Sequence, residues 1–141
     1  MTDTRISPEL IRAYEATEYR VLEPVPFTLK VGQRSRELER LYERTGTRTA
    51  AVITAWNPCS EERSDAENHT AHENLAGDLK LIGLQHLPAL GADPKDKWKG
   101  EESFLVLDAP RETAERLGRK YGLNCIVWAE ANAAPVLLFL R

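Results

Sequence analysis

Residues 49–56 read TAAVITAW, and this stretch decides the fold. Its nearly continuous run of apolar and β-branched residues predicts a strand that is buried on both faces. The sequence Asn57-Pro58 ends that strand abruptly. Two further apolar stretches, SFLVLD at 103–108 and CIVWA at 125–129, predict strands of the same kind. VLLFL at 136–140 follows the turn sequence ANAAP, which indicates a hairpin at the end of the chain.

Four other segments carry helical spacing and helix-end signals. They are 8–17 after Ser7, 35–45 before Gly46, 64–82 with the capping box Ser64-x-x-Glu67, and 110–121 before Gly122. Weaker strand signals cover 19–23, 26–31 and 84–90. Together the segments predict an α+β protein of one domain, 1–141, with about six strands in one mixed sheet and about four helices.

Composition narrows the class of protein. The chain has 141 residues, 42% of them apolar and 29% charged, which is typical of a globular domain and argues against disorder. A net charge of -3 argues against DNA binding, which usually needs a basic excess. No apolar run approaches a membrane span of roughly 20 residues, and the start MTDTRISPELIR lacks a signal-peptide core. We therefore expect a cytoplasmic protein without membrane partners, whose Cys59 and Cys125 are free thiols.

The loop and helix after the 49–56 strand are the first candidate for a site, because ligands bind where strands end and helices begin in open sheets. The helix start at Ser64 has unpaired N–H groups that suit an anionic ligand. Asn68 and His72 follow on the stripe of the same helix that faces the core. The alternatives are that Ser64 only caps its own helix and that Asn68 and His72 form a satisfied polar network.

A second candidate cluster precedes the strand 103–108 and contains Trp98, Glu101, Glu102 and Ser103. Neighbouring strand residues point to opposite faces, so at most one of the two glutamates looks inward. An inward carboxylate would have a raised pKa and could act as a general base, and Glu102 is our candidate. The alternative is a solvated strand start. Asn124 is placed in the same way before the strand 125–129.

Metal and thiol chemistry are weaker hypotheses. His69-x-x-His72 has neither an HExxH pattern nor a cysteine pair, so no metal is expected, and no motif indicates a cofactor. Cys59 near the helix start could be a nucleophile with His72 as its base, but nothing fixes the distance between them.

The chain resembles the bacterial DUF3293 family, a family of unknown function. The resemblance rests on ITAWNPCS, GADPKDKW, EESFLVL and YGLNCIVW, and it extends to the start AYEATEYRV. The positions that match the family pattern are Asn57, Pro58, Ser60, Asn68, Trp98, Glu102, Ser103, Gly122 and Asn124. Leu123 replaces a glutamine of the pattern, Cys125 replaces an alanine, and Lys99-Gly100 precedes the acidic pair. The resemblance implies no activity.

We expect these polar residues to meet in one pocket at the end of the strand 49–56. Catalytic candidates are Glu102 and His72, and ligand-binding candidates are Asn57, Ser60, Ser64, Asn68, Trp98, Ser103 and Asn124. The predicted function is to bind a small polar or anionic ligand, a metabolite or a nucleotide, and whether the protein is an enzyme stays open. The alternative is a non-catalytic protein- or RNA-interaction or regulatory module with a structural polar network. In that case the basic ridge of Arg36, Arg40 and Arg44, or an exposed strand edge, contacts the partner.

Overall fold

The computed structural model describes residues 6–58 and 61–141. These residues form seven strands and four helices. The strands are β1 (Glu18–Val21), β2 (Phe27–Leu29), β3 (Ala50–Thr54), β4 (His86–Ala92), β5 (Glu101–Leu107), β6 (Cys125–Ala129) and β7 (Val136–Phe139). The helices are α1 (Pro8–Ala16), α2 (Arg36–Thr45), α3 (Asp65–Ile82) and α4 (Arg111–Lys120).

All strands belong to one sheet in the order β2-β1-β4-β5-β3-β6-β7. Every neighbouring pair in the described residues is antiparallel, so the prediction of a mixed sheet is wrong. The number of strands is seven in these residues rather than about six, because all three weak signals, at 19–23, 26–31 and 84–90, are strands. The fold class, α+β, is confirmed.

Strand β3 lies between β5 and β6 in the sheet and is buried on both faces, as its sequence predicts. Ala50 and Val52 belong to a core that contains Leu38 of α2. Ala51 and Ile53 point the other way, into a core that α3 and α4 cover. Helices on both faces explain why 49–56 is almost entirely apolar, since neither face of β3 meets water. The face of Val52 also carries the cavity described below.

The helix ends follow their sequence signals. The Ser64 side chain accepts a hydrogen bond from the Glu67 N–H, and the Glu67 side chain accepts one from the Ser64 N–H, so the predicted capping box is present. Gly83 ends α3 with a left-handed backbone, φ 85°. None of the helices in 6–58 and 61–141 is long and apolar enough to cross a membrane.

Helix α4 lies unusually close to the sheet at Gly118. A Cβ atom at this position would come within 2.5 Å of Leu140 Cδ1 and 2.9 Å of Ile126 Cγ2. The missing side chain of Gly118 is therefore what allows this close approach.

Candidate ligand-binding cavity

A cavity of about 580 Å³ lies between α1 and the sheet, at the end of β3. Leu10 and Tyr14 of α1 line one side of it, and Val52 of β3 and Val127 of β6 line the sheet side. The loop after β3 and the start of α3 complete the lining through Asn57 and other residues. The lining therefore comes from distant parts of the chain that the sheet brings together.

Glu101 is the acidic side chain on the sheet side of the cavity. In β5 it pairs with Gly91 of β4, on the same face as Ser103. Asn57 Nδ2 donates a hydrogen bond to Glu101 Oε2 (3.2 Å). Burial raises the pKa of the Glu101 carboxyl, and the hydrogen bond from Asn57 offsets part of that rise. The carboxylate is thus half-buried without a cationic partner among the described residues.

A pair of asparagines holds the loop beside Glu101. Asn68 Oδ1 accepts a hydrogen bond from the Asn57 N–H (2.9 Å), and Asn68 Nδ2 donates to Asn57 Oδ1 (3.0 Å) and to the Arg63 carbonyl (3.3 Å). The Arg63 N–H also donates to Asn57 Oδ1 (2.9 Å). Asn57 has a left-handed backbone, φ 46°, a conformation that asparagine tolerates better than most residues. This network fixes the Asn57 side chain in the direction of Glu101.

Charged residues of both signs line the loop side of the cavity. Lys99 Nζ forms an ion pair with Asp65 Oδ2 at 2.7 Å. Arg63 lies 3.9 Å from a carboxylate oxygen of Glu61 and 3.9 Å from one of Glu67. The cations on this side therefore already have acidic neighbours.

Aromatic and thiol side chains line the side near α1. The Tyr19 hydroxyl donates to the Tyr14 carbonyl (2.9 Å), and Asn124 Nδ2 donates to the Tyr14 hydroxyl oxygen (3.0 Å). Burial raises the pKa of the Tyr19 hydroxyl above its usual range and raises the pKa of the Cys125 thiol to about 12. Cys125 is therefore a protonated thiol at neutral pH rather than a nucleophilic thiolate. It forms no disulfide within the described residues, and Cys59 lies outside them.

Glu102 points to the opposite face of the sheet from Glu101, because successive strand residues alternate. There its Oε2 lies 3.6 Å from His72 Nε2 and 3.7 Å from His69 Nδ1. The His72 ring stacks on Phe104 with 4.4 Å between ring centroids. Burial lowers the pKa of His72, and the charge of Glu102 opposes this effect. His72 Nδ1 is buried without a hydrogen-bond partner among the described residues.

These histidines do not form a metal centre in the part of the chain that the structure describes. No group of three or more His, Cys, Asp or Glu side chains within 6–58 and 61–141 is arranged to hold a metal ion.

The structure separates the predicted site residues into two groups. The cavity lining contains Asn57, Asn68, Trp98, Ser103 and Asn124. Ser64, His72 and Glu102 do not line it, so the expectation that all of them meet in one pocket needs correction. Ser64 is an exposed helix cap, and the pleat turns Glu102 toward His72 on the other face. Ser60 lies outside the described residues. The ligand-binding and catalytic roles of all these residues stay predictions.

The sequence hypothesis missed Glu101 as the inward glutamate. Alternation alone could not have found it, because both faces of β5 are buried. Leu105 and Leu107 share the face of Glu101, and Phe104 and Val106 share that of Glu102. The residues of the basic ridge, Arg36, Arg40 and Arg44, are exposed on α2, and their role in binding a partner also stays a prediction.

We expect Glu101→Gln to be at least as stable as the natural protein at pH 7.5, with a melting temperature equal or a few degrees higher. Burial raises the pKa of Glu101 in the folded state, so ionised Glu101 disfavours folding once the pH rises through that pKa. Glutamine keeps the shape and an acceptor for Asn57 without the charge. The gain in stability should shrink as the pH falls through the raised pKa.

Thermal unfolding of both proteins between pH 4 and pH 8 measures this difference. Glu102→Gln is the matched control. The Glu102 side chain is 44% exposed on the opposite face of the sheet, so this variant should not show the same change of stability with pH. A Glu101→Gln variant that is clearly less stable at pH 7.5 would show that the charge of Glu101 supports the fold.

Together, the antiparallel sheet with helices on both faces and the cavity at the end of β3 define an α+β protein with a candidate binding site. A family model described as "Protein of unknown function (DUF3293)" matches residues 53–126, slightly more than half of the chain. The chain belongs to this family. The match begins in β3 and ends in β6, so it includes Asn57, Asn68 and Glu101 but not α1. Comparisons with curated proteins and with solved structures found no match.

Proposed function

We propose that this protein binds a small polar molecule in the cavity between α1 and the sheet. The observation that carries the proposal is the Glu101 carboxylate, which is half-buried in the lining of a cavity of about 580 Å³ and has no cationic partner among the described residues. A buried charge without a partner costs stability, and such costs are typical of functional sites. A ligand that donates to Glu101 would offset this cost.

The size and lining of the cavity support the same function. Its volume lies within the roughly 300–1,000 Å³ that small-molecule sites usually occupy. Apolar groups such as Leu10 and Val52 share the lining with polar and charged side chains, which can fix a ligand's orientation.

Recognition is better supported than catalysis. The Cys125 thiol is protonated at neutral pH, because burial raises its pKa to about 12. The candidate base His72 and its neighbour Glu102 lie on the other face of the sheet. The polar lining within the described residues thus favours binding, with Glu101 as its central group.

An NMR screen tests the proposal. Amide spectra of the labelled protein are recorded with amines, amino acids, nucleosides and sugar phosphates, and shifts at cavity residues such as Asn57 and Val127 report binding. We expect at least one of these classes to shift these signals in a saturable way.

Two variants of α1 locate the binding site. Ala13→Trp places an indole in the lining, whereas Ala16→Trp changes an exposed residue of the same helix that does not line the cavity. A ligand of the cavity should bind the Ala13→Trp variant at least about tenfold more weakly and the Ala16→Trp variant normally. A screen in which no class shifts the cavity signals, or in which both variants bind equally, would contradict the proposal.

A further inference from the structure

Of the five hydroxyl groups that line the cavity, that of Tyr14 accepts a hydrogen bond from Asn124 Nδ2 (3.0 Å). The other four each donate to a backbone carbonyl, which can only accept. The donor–acceptor pairs are Thr17 Oγ1 to Ala13 O (2.7 Å), Tyr19 Oη to Tyr14 O (2.9 Å), Thr54 Oγ1 to Glu102 O (2.7 Å) and Ser103 Oγ to Glu101 O (3.1 Å). These oxygens can therefore offer a ligand only their lone pairs.

The amide donors near Glu101 are also engaged. Asn68 Nδ2 donates to Asn57 Oδ1 and to the Arg63 carbonyl, and Asn57 Nδ2 donates to Glu101 Oε2. Glu101 Oε1 receives no hydrogen bond from the described residues. The strongest acceptor of the cavity thus has an oxygen available for a ligand donor.

The charged side chains of the lining are also more often acidic than basic. Its acidic side chains are Glu62, Asp65 and Glu101, and its basic side chains are Arg63 and Lys99, a balance of three against two. Lys99 is paired with Asp65, so its charge is largely compensated. Glu62 and Glu101 form no ion pair among the described residues. Glu62 is exposed, whereas Glu101 is half-buried on the sheet side of the cavity.

From this acceptor-rich lining we infer that the ligand is a small organic cation, a protonated amine with a compact apolar body, whose ammonium group pairs with Glu101. The inference rests on the proposed function and replaces the anionic ligand class that the sequence suggests. An ammonium group brings three donors and no acceptor, which complements a carboxylate in a lining whose hydroxyl oxygens offer lone pairs. The rings of Tyr14, Tyr19 and Trp56 in the lining suit a cation with an apolar body.

Two series of matched probes test the ligand class. Benzylamine, benzyl alcohol and benzoate share one body, hexylamine, hexanol and hexanoate share another, and only the head group changes within each series. Amide NMR titrations at pH 7.5 give the affinity of each probe at the cavity signals. We expect at least one amine to bind about tenfold or more tightly than its alcohol and its carboxylate.

Glutamine variants of the adjacent glutamates assign the effect to Glu101. Glu101→Gln should weaken the amine by about tenfold or more and leave the alcohol within about threefold, since only the charge is lost. Glu102→Gln is the matched control on the opposite face and should leave both affinities unchanged. Circular dichroism confirms that both variants fold.

The contrary outcomes separate this inference from the proposed function. If in both series the carboxylate or the alcohol binds as tightly as the amine, the cation inference is wrong and the binding function stands. An equal loss of amine and alcohol in Glu101→Gln would likewise overturn the role of the charge. If neither these probes nor any class in the wider screen shifts the cavity signals, the proposed function itself fails.

Discussion

Asn68→Ala is expected to lower the free energy of unfolding by about 1–3 kcal/mol. Asn68 is 2% exposed, and its side chain makes three hydrogen bonds with Asn57 and Arg63. Alanine would leave the Asn57 N–H and the Arg63 carbonyl without these partners. The cost is that of partly buried polar groups left unsatisfied, together with the loss of support for the left-handed backbone of Asn57.

Urea unfolding of Asn68→Ala and of the natural protein measures this loss. Asn74→Ala is the control on the same helix, since Asn74 is exposed and its substitution should change stability by less than about 0.5 kcal/mol. Equal stability of Asn68→Ala and the natural protein would show that the asparagine pair does not hold the loop after β3.

Gly118→Ala is expected to destabilise the protein by about 1–3 kcal/mol, although alanine is normally the better helix former. The added methyl group would lie 2.5 Å from Leu140 Cδ1 and 2.9 Å from Ile126 Cγ2. Because Ile126 is 1% exposed in a packed core, its side chain has little room to move. Helix α4 would have to shift away from β6.

A glycine-to-alanine substitution in α3 should have the opposite effect on stability. Gly77 is exposed in the helix, and a Cβ there would meet no atom within 4 Å. Gly77→Ala should therefore stabilise the protein by about 0.5–1 kcal/mol through helix propensity. Chemical unfolding of both variants gives the two signs, and a Gly118→Ala variant as stable as Gly77→Ala would contradict the close approach of α4.

Much of the fold could be predicted from local signals. The run 49–56 gave a strand buried on both faces, and the capping box at Ser64 gave the start of α3. The direction of the strands could not be predicted in this way. The connections around α3 and α4 do join strands of the same direction, β3 with β4 and β5 with β6. An antiparallel strand lies between the members of each pair, so no two neighbouring strands are parallel, and local sequence signals do not reveal this insertion.

The sequence places a polar cluster at the end of β3, where the cavity lies, but it favours Glu102 over Glu101, the glutamate that lines the cavity. Asn57 and Asn68 were placed near the end of β3 because polar residues at the ends of buried elements tend to meet there. The choice between Glu101 and Glu102 depends on which face of β5 carries the cavity, and α1 decides that face. Helix α1 precedes the site by many residues, so no local pattern around Glu101 reveals it.

The order of the strands also has a consequence for how this protein is made. Strand β3 pairs with β5 and β6, which follow it by about fifty residues or more, and β1 pairs with β4, which is also distant in the sequence. Contacts between such distant segments form slowly, so we expect folding in milliseconds to seconds rather than microseconds. During synthesis, α1 and β3 leave the ribosome well before β6 supplies Val127. The cavity thus takes shape only when nearly the whole chain has emerged, and a fragment limited to 53–126 would lack the wall formed by α1.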